Sequence, residues 1–270
     1  MGSSRTRPAT RGLRGSPWFW RAGALSVLAG TGAAAGLHGL ILPAPVPPER
    51  IAEWRTTCQG IDGDGLPGDA VVQRDQSDGT VRQAKGANLS RELERYEPFR
   101  KLQRESREEE VALCFVRAYR RVFRLESPLE ELQPVVATPD ETGRVHVRLT
   151  QFYHGLPVRG GELIVHLTPQ KQVYLVDGRY HATPAGLGTT PTITAAEAIA
   201  KVRDALAPAA SGMRDYHTRT AVYVDQGNRP RLAYQVLATG TLADDYEFWV
   251  EANTGTILAK IALTKTLQVR

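Results

Sequence analysis

Apolar residues recur at helical spacing in two separate stretches of the chain, and each stretch begins with a capping sequence. Ser106 with Glu109 opens the first, and Thr194 with Glu197 opens the second. A hydroxyl residue followed three positions later by Glu marks a helix N-terminus. The apolar stripes are Val111, Cys114, Phe115, Ala118 and Val122, then Ala198, Ile199, Val202, Ala205 and Leu206. The pattern predicts two amphipathic helices.

Each predicted helix is followed by stretches in which apolar and polar residues alternate, as in a strand with one buried face. After the first helix these stretches are Arg144–Tyr153, Leu163–Leu167 and Val173–Val176. After the second they are Thr218–Val224, Arg231–Thr239, Tyr246–Ala252 and Thr256–Leu263. The recurrence predicts an α+β fold of two small domains, each with a helix packed on an antiparallel sheet.

The first 48 residues differ in composition from the rest and predict an export segment. Their only charged residues are five arginines, all at or before Arg21, and Ala22–Leu42 is apolar and uncharged. A basic stretch followed by an apolar one is typical of a secretory signal peptide, and Ala33–Ala35 offers a small-residue cleavage site. The apolar stretch is also nearly long enough to remain as a membrane anchor. A misassigned start codon is a third alternative.

We therefore expect an exported protein that is secreted, periplasmic or membrane-anchored facing outward, with residues 43–48 as a Pro-rich spacer. Charge excludes a nucleic-acid-binding domain. The net charge is +5, but the rest of the chain, without the five arginines of residues 1–21, has 29 basic and 29 acidic residues. The basic character thus belongs to the leader and not to a domain.

Residues 49–105 are polar and rich in Gly and Asp, and they show no long periodic segment. This composition predicts a flexible, partly disordered linker. Within it, Asp62-Gly63-Asp64-Gly65 has the alternating carboxylates of a calcium loop. Position 12 of such a loop would be Gln73 in place of the bidentate Glu, so a solvated turn is the preferred interpretation.

The sequence contains no catalytic or metal-binding motif that we recognise. H-E-x-x-H, G-x-S-x-G and a phosphate-binding Gly-Lys-Ser/Thr loop are absent. His146 and His166 fall on adjoining predicted strands, but two histidines with no third ligand are weak support for zinc, and polar surface residues are preferred. We expect no catalytic residues, no metal and no cofactor.

The chain has two cysteines. Cys114 lies on the apolar stripe of the first helix, where a reduced thiol behaves as a small hydrophobic residue. Cys58 lies in the predicted linker. A disulfide between Cys58 and Cys114 after export is the alternative, and it would draw the linker onto the core.

The segment His146–Leu167, HVRLTQFYHGLPVRGGELIVHL, resembles the signature of the fungalysin/thermolysin propeptide domain. The residues that match the family pattern are Arg148, Gln151, Tyr153, Gly155, Pro157, Val158, Gly161 and Leu163. Farther on, Thr194–Val202, Arg231–Val236 and Trp249–Leu258 resemble the PepSY domain that follows in such propeptides. The resemblance implies a propeptide domain over 106–186, a cystatin-like or PepSY-like domain over 190–264 and a tail over 265–270. It also implies that the matched residues mainly hold the sheet and its turn.

The resemblance further implies the role of a prodomain, which acts as a folding chaperone and inhibitor of a thermolysin-like zinc metallopeptidase. In that family a zinc catalytic domain follows, whereas this sequence ends at Arg270. We expect a non-catalytic exported protein that binds such a peptidase. Leu263, Thr264, Lys265 and Thr266 are the candidate partner-binding tail, with a frayed terminus as the alternative. The alternatives for the whole protein are a truncated or split peptidase precursor and an envelope-associated protein-binding adaptor.

Overall fold

A computed structural model describes residues 44–207, 212–240 and 245–263. The helices in this part of the chain are α1 (Pro48–Thr57), α2 (Glu97–Glu105), α3 (Glu108–Ala118), α4 (Arg120–Phe123), α5 (Pro128–Glu131) and α6 (Ala195–Leu206), with a 3₁₀ turn at Leu93–Arg95. The strands are β1 (Val71–Arg74), β2 (Val81–Lys85), β3 (Leu132–Pro139), β4 (Val145–Tyr153), β5 (Leu156–Leu167), β6 (Val173–Arg179), β7 (Asp215–Val224), β8 (Pro230–Thr239), β9 (Asp245–Glu251) and β10 (Ile257–Leu263). The fold class is α+β, as the sequence predicts.

Strand β5 is the branch point of the sheet. Along one side it pairs with β4, which in turn pairs with β3. Along the other side its later residues pair with β6, and the sheet continues to β2 and β1. Its first residues extend past β6, and Val158 there pairs with Val222 of β7 in a parallel bridge. Strands β7 to β10 follow as an antiparallel meander.

Helix α3 covers the face of the first sheet that the alternation predicts to be buried. Val147 and Leu149 on β4, and Leu163 and Val165 on β5, are fully buried beneath it. Residues 111–116 of α3 are buried all round the helix. A helix that is buried on every side needs neighbours on every side. Here α1, α2 and α5 cover the sides that the sheet does not.

The prediction of a flexible linker over residues 49–105 is wrong. This segment forms α1, β1, β2, the 3₁₀ turn and α2, and β2 extends the sheet by pairing with β6. The segment also contributes apolar side chains to the first core: Trp54, Ile61, Val81, Ala84, Leu89, Leu93, Phe99 and Leu102, each at most 3% exposed. Each short element or loop of this segment contributes only one or two of these residues, so they leave no long periodic signal in the sequence.

A disulfide joins Cys58 to Cys114, with the two Cα atoms 5.1 Å apart. Cys58 directly follows α1, and Cys114 lies in the middle of α3. Both side chains are buried, at 1% and 0% exposure. The bond therefore fixes the segment that was expected to be loose onto the central helix of the first core.

The two capping predictions have different outcomes. The second is confirmed, because the Thr194 hydroxyl accepts from the Glu197 N–H at 3.2 Å and the Glu197 carboxylate accepts from the Thr194 N–H at 2.7 Å. The first is wrong, because the helix begins at Glu108 and not after Ser106. Ser106 instead ends α2, where its N–H donates to the Leu102 carbonyl at 2.9 Å. The sequence pattern missed α2, so it assigned this residue to the wrong helix.

The second half of the structure follows its prediction closely. Helix α6 packs its apolar stripe, Ala198, Val202 and Leu206, against one face of β8 and β9. The matching sheet residues are Leu232, Tyr234, Val236, Ala238, Phe248, Val250 and Ala252. This core is separate from the core beneath α3, so each half buries its own helix against its own strands.

The predicted signal or anchor with its Pro-rich spacer covers residues 1–48, and residues 1–43 of it, including Ala22–Leu42, lie outside the described residues, as do residues 264–270. In the part of the chain that is described, no helix has both the length and the apolar character needed to cross a membrane.

Candidate functional site

The hairpin between β4 and β5 carries most of the residues singled out by the family resemblance. Its two-residue turn is His154-Gly155, with φ of +47° and +79°. Tyr153 and Leu156 pair across the strand ends on either side of it. Two successive positive φ values give the tight turn whose twist matches that of antiparallel strands. Gly155 meets this requirement without strain because it has no Cβ.

Gln151 binds the backbone of His181, which lies beyond the end of β6. Its side-chain Nε2 donates to the His181 carbonyl at 2.7 Å, and its Oε1 accepts from the His181 N–H at 2.9 Å. Gln151 is 1% exposed. Gly161 lies beside it, and a Cβ at Gly161 would stand 2.7 Å from the Gln151 Cβ. The amide therefore fits only because residue 161 has no side chain.

The same hairpin joins the two halves of the sheet. Val158 and Val222, partners in the parallel bridge, are at most 1% exposed and pack with Tyr153 in a small apolar cluster. The Tyr153 hydroxyl donates to the Leu187 carbonyl at 3.3 Å, on the connection to α6. We call this region, together with Gln151 and His181, the junction.

Three polar side chains from three loops close the junction on its other side. The Asn228 Oδ1 lies 2.9 Å from the His181 Nδ1, and the Asn228 Nδ2 donates to the Asp78 carboxylate at 2.9 Å. Asn228 has a φ of +57°, a conformation that Asn tolerates better than most residues. Asp78 comes from the β1–β2 turn and Asn228 from the β7–β8 turn, so the contact ties the first half to the second.

Burial and hydrogen bonding shift the titration of these groups. Burial lowers the pKa of His181 below its usual value, and it outweighs the opposing hydrogen bond to Asn228 and the charge of Asp78. Burial acts to raise the pKa of Asp78, but hydrogen bonds from Thr80 and Asn228 outweigh it and hold that pKa below its usual value. The junction thus combines an ionised carboxylate with an imidazole that resists protonation.

The remaining family-motif residues lie away from the junction. Arg148 is exposed on the outer face of the sheet and forms an ion pair with Glu162 on β5. Leu163 is fully buried under α3, and Pro157 is buried opposite Phe152. The structure therefore brings together Gln151, Tyr153, Val158 and Gly161 and leaves the others in separate structural positions.

The predicted partner-binding tail is described only at its first residue. Leu263 ends β10 and pairs with Asp245 of β9. Among the strands of the described residues the order ends at β10, so within this part of the chain β10 forms an edge of the sheet. Thr264, Lys265 and Thr266 lie outside the described residues.

The polar side of the junction was not predicted from the sequence. His181, Asn228 and Asp78 come from loops and carry no periodic signal, and Asn228 and Asp78 are 150 positions apart. The local signal available was the Gln226-Gly227-Asn228 turn, which suits a residue with positive φ. Among the described residues no three His, Cys, Asp or Glu side chains are grouped so that they would hold a metal ion.

The Fungalysin/Thermolysin Propeptide Motif matches residues 130–180. This match covers β3 to β6 and includes the whole β4–β5 hairpin. Two curated proteins are similar over a longer stretch. Bacillolysin of Bacillus subtilis strain 168 is 28% identical over 141 residues, and the transglutaminase-activating metalloprotease of Streptomyces mobaraensis is 33% identical over 110 residues.

The similarity covers only part of these relatives. It spans 48% of this chain but 27% of bacillolysin, and 39% of this chain but 14% of the Streptomyces protein. Among solved structures, the YpeB C-terminal domain of Bacillus megaterium aligns with 83% of this chain and 100% of its own at 13% identity and a TM-score of 0.32. A score this low does not establish a shared fold, and the PepSY likeness of the second half stays a prediction.

Proposed function

We propose that the protein is a non-catalytic, exported, propeptide-like protein that binds a thermolysin-like zinc metallopeptidase and inhibits it, assists its folding, or does both. The observation that carries this proposal is the match of residues 130–180 to a propeptide motif. The similarity to bacillolysin and to a metalloprotease supports the same class of partner. No cofactor or nucleic acid enters the proposal.

The geometry of the matched segment supports a structural role for the motif and leaves binding to other surfaces. Gln151, Tyr153 and Val158 are buried, and each is already engaged within the chain. A side chain with its contacts satisfied internally has none left for a partner. The exposed edges of the sheet are therefore the better candidates for the contact with a partner.

We propose that the outer edge of β10, together with the residues that follow Leu263, contacts the peptidase. An edge strand carries backbone N–H and C=O groups that pair with an added extended segment. An extended segment also suits a peptidase cleft, since alternate side chains fill successive pockets while the backbone supplies hydrogen bonds. The prediction of a cleft-facing tail from Leu263 to Thr266 belongs to this same proposal.

The test uses the purified full chain and a purified thermolysin-like zinc peptidase from the exported fraction of the same cells. Hydrolysis of a peptide substrate is measured against increasing concentrations of the chain. A parallel assay measures the refolding yield of the denatured peptidase with and without the chain. We expect stoichiometric inhibition, a raised refolding yield, or both.

Two variants locate the contact. Leu263→Asp places a charge on the β10 edge, and we expect it to weaken inhibition at least about tenfold, which is 1.4 kcal/mol of binding free energy. Val136→Lys is the control, because Val136 is 45% exposed on β3, a different edge strand among those described. If only the control weakens inhibition, the edge has been assigned wrongly.

One outcome would contradict the proposed function as a whole: the chain neither binds the peptidase nor changes its activity or its refolding. Capture from cell extracts of a non-peptidase envelope protein, with no peptidase, would favour the adaptor alternative. An in-frame H-E-x-x-H in the DNA downstream of the Arg270 codon would instead make the contact intramolecular, within a longer precursor.

A further inference from the structure

His146 and His166 face each other across β4 and β5 on the outer face of the first sheet. They are direct cross-strand partners, and their Nδ1 atoms lie 2.6 Å apart. The ring centroids are 4.7 Å apart with an interplanar angle of 69°, so the rings form a T-shaped pair and are not stacked. The side chains are 31% and 14% exposed, which leaves the pair open to exchange of protons with water.

A carboxylate lies behind each ring. The Asp140 Oδ2 is 3.4 Å from the His146 Nε2, and the Asp177 Oδ1 is 3.2 Å from the His166 Nε2. Asp140 is held in the β3–β4 turn, where hydrogen bonds from Thr142 lower its pKa. An ionised carboxylate only accepts hydrogen bonds, so the hydrogen bond between the His166 Nε2 and Asp177 places a proton on that nitrogen. The Asp140 carboxylate beside the His146 Nε2 favours a proton there as well. The surroundings thus favour the same tautomer, with the proton on Nε2, in both rings.

This tautomer creates a conflict that an additional proton resolves. A neutral imidazole with its proton on Nε2 has a lone pair on Nδ1. Two such rings would bring two lone pairs to within 2.6 Å of each other. One proton between the two nitrogens turns the repulsion into a short, charge-assisted hydrogen bond.

We propose that His146 and His166 share one proton between their Nδ1 atoms, and that a second proton opens this corner of the sheet in acid. The inference goes beyond the proposed function and does not rest on it. It also explains why four ionisable residues from a turn and three strands converge in one row, Asp140–His146–His166–Asp177.

A metal ion fits the pair less well than a proton. Zinc binds imidazole nitrogens at about 2.0–2.1 Å in tetrahedral geometry, which would separate the two nitrogens by about 3.3 Å. The observed separation of 2.6 Å would have to widen. The described residues also supply no group of three ligands at this place.

The charged and titratable groups around the pair come from each adjoining element. On β6, Tyr174 lies 6.0 Å from the His166 ring, and the Arg144 guanidinium stacks over Tyr174 at 4.9 Å. On β2, Lys85 is the register partner of Leu175, which is itself opposite His166. Farther along β4 and β5, Arg148 forms an ion pair with Glu162 that neutralises both charges. On β3, the residue opposite His146 is the uncharged Thr138.

A second proton would place a hydrogen on both Nδ1 atoms and a positive charge on both rings. Burial lowers the pKa of His166 below its usual value although Asp177 acts in the opposite direction, and the charge of His146 adds to the lowering. An unfolded chain binds this proton near the usual imidazole value, so it binds more protons than the folded chain in the window below it. Stability therefore falls as the pH falls through that window.

The deciding measurement is nuclear magnetic resonance of the uniformly ¹⁵N-labelled full chain, without any substitution. We expect a through-hydrogen-bond coupling between the two Nδ1 nuclei at neutral pH. We also expect the pair to titrate in two steps separated by more than about 1 pH unit. Absence of the coupling, with both rings titrating independently near pH 6.5, would overturn the proposal.

Variants and a metal titration complete the test. We expect His166→Asn to abolish the two-step behaviour and to leave His146 with a single step. The control His154→Asn removes an exposed histidine from a positive-φ turn position that Asn tolerates, and it should leave both steps unchanged. If His166→Asn does not fold, the coupling in the unsubstituted chain still decides. Displacement of both Nδ1 signals by one equivalent of ZnCl₂, after chelator treatment, would reject the shared proton in favour of a metal site.

Discussion

Gln151 hydrogen-bonds to both backbone groups of His181, thirty positions farther along the chain. A single side-chain amide thus fixes the point where the chain leaves β6 for the second half of the fold. Because Gln151 is 1% exposed, water does not replace these bonds when they are removed. The two hydrogen bonds of Gln151 therefore hold the connection between the two halves in place.

Replacement of Gln151 by Leu should destabilise the protein by about 2–4 kcal/mol. The substitution keeps the side-chain size but leaves the His181 N–H and carbonyl without their partners, and each unpaired buried group costs about 1–3 kcal/mol. The measurement is the free energy of unfolding in urea. Gln170→Leu, at an exposed position of the β5–β6 turn, is the matched control and should change little. Equal stability of the two variants would show that the hydrogen bonds between Gln151 and His181 contribute nothing to the free energy of unfolding.

Gly161→Ala tests the space around the same amide. The new Cβ would stand 2.7 Å from the Gln151 Cβ and 2.8 Å from its Oε1, so the Gln151 side chain must move. Overpacking of this kind costs about 1–3 kcal/mol. Gly68→Ala is the control, since no atom lies within 4 Å of a Cβ there. The double variant Gln151→Ala with Gly161→Ala should lose less than the sum of the single losses, because the contact with the Oε1 is gone and only the contact with the Cβ remains.

The parts of the fold that the sequence predicts are those with long periodic signals. Strands β4 to β10 and helix α6 each run for at least seven residues, and alternation or helical spacing locates most of them to within a few positions. Strand β5 is the exception: it begins at Leu156, whereas the sequence predicts a strand only from Leu163, because Gly160 and Gly161 are interpreted as a break. Strand β3 is different, because Pro134 and Pro139 interrupt it and Val135 and Val136 are both exposed on the sheet edge. An edge strand with no buried alternation looks like a loop in the sequence.

The junction shows why the site was only half predicted. Gln151, Gly161 and Val158 belong to a continuous motif, so a resemblance over 22 residues finds them together. Asp78, His181 and Asn228 meet only because three loops converge after folding. No spacing rule connects residues that far apart, and the packing of the two halves decides their contact.

Removal of the disulfide should weaken the first half more than the second. The bond closes a loop of 56 positions, and the loss of loop-closure entropy in the unfolded chain corresponds to about 4 kcal/mol. The variant Cys58→Ala with Cys114→Ala should therefore unfold at lower urea concentration than the oxidised protein. Hydrogen exchange should show the larger loss of protection in α1, which the bond holds against α3. Reductant should shift the unfolding midpoint of the unsubstituted chain and leave that of the double variant unchanged.

Acid should weaken the junction through His181. Its pKa is lowered in the folded chain, so between that pKa and about 6.5 the unfolded chain binds more protons, and stability falls as the pH falls. Below the pKa of His181 in the folded chain this loss of stability is complete, and the contribution of His181 no longer changes with pH. His181→Gln keeps a donor for Asn228 but does not titrate, so its stability should depend less steeply on pH in this window.

The measurement is the urea midpoint of unfolding at pH 7.5, 6.5 and 5.5. His217→Gln, an exposed position on β7, is the control and should follow the unsubstituted chain. The urea midpoint of the double variant His166→Asn with His181→Gln should depend less steeply on pH than that of either single variant. The two histidines lie on different surfaces, so their effects add. An unchanged slope for His181→Gln would mean that the imidazole takes up its proton in the folded junction as readily as in the unfolded chain.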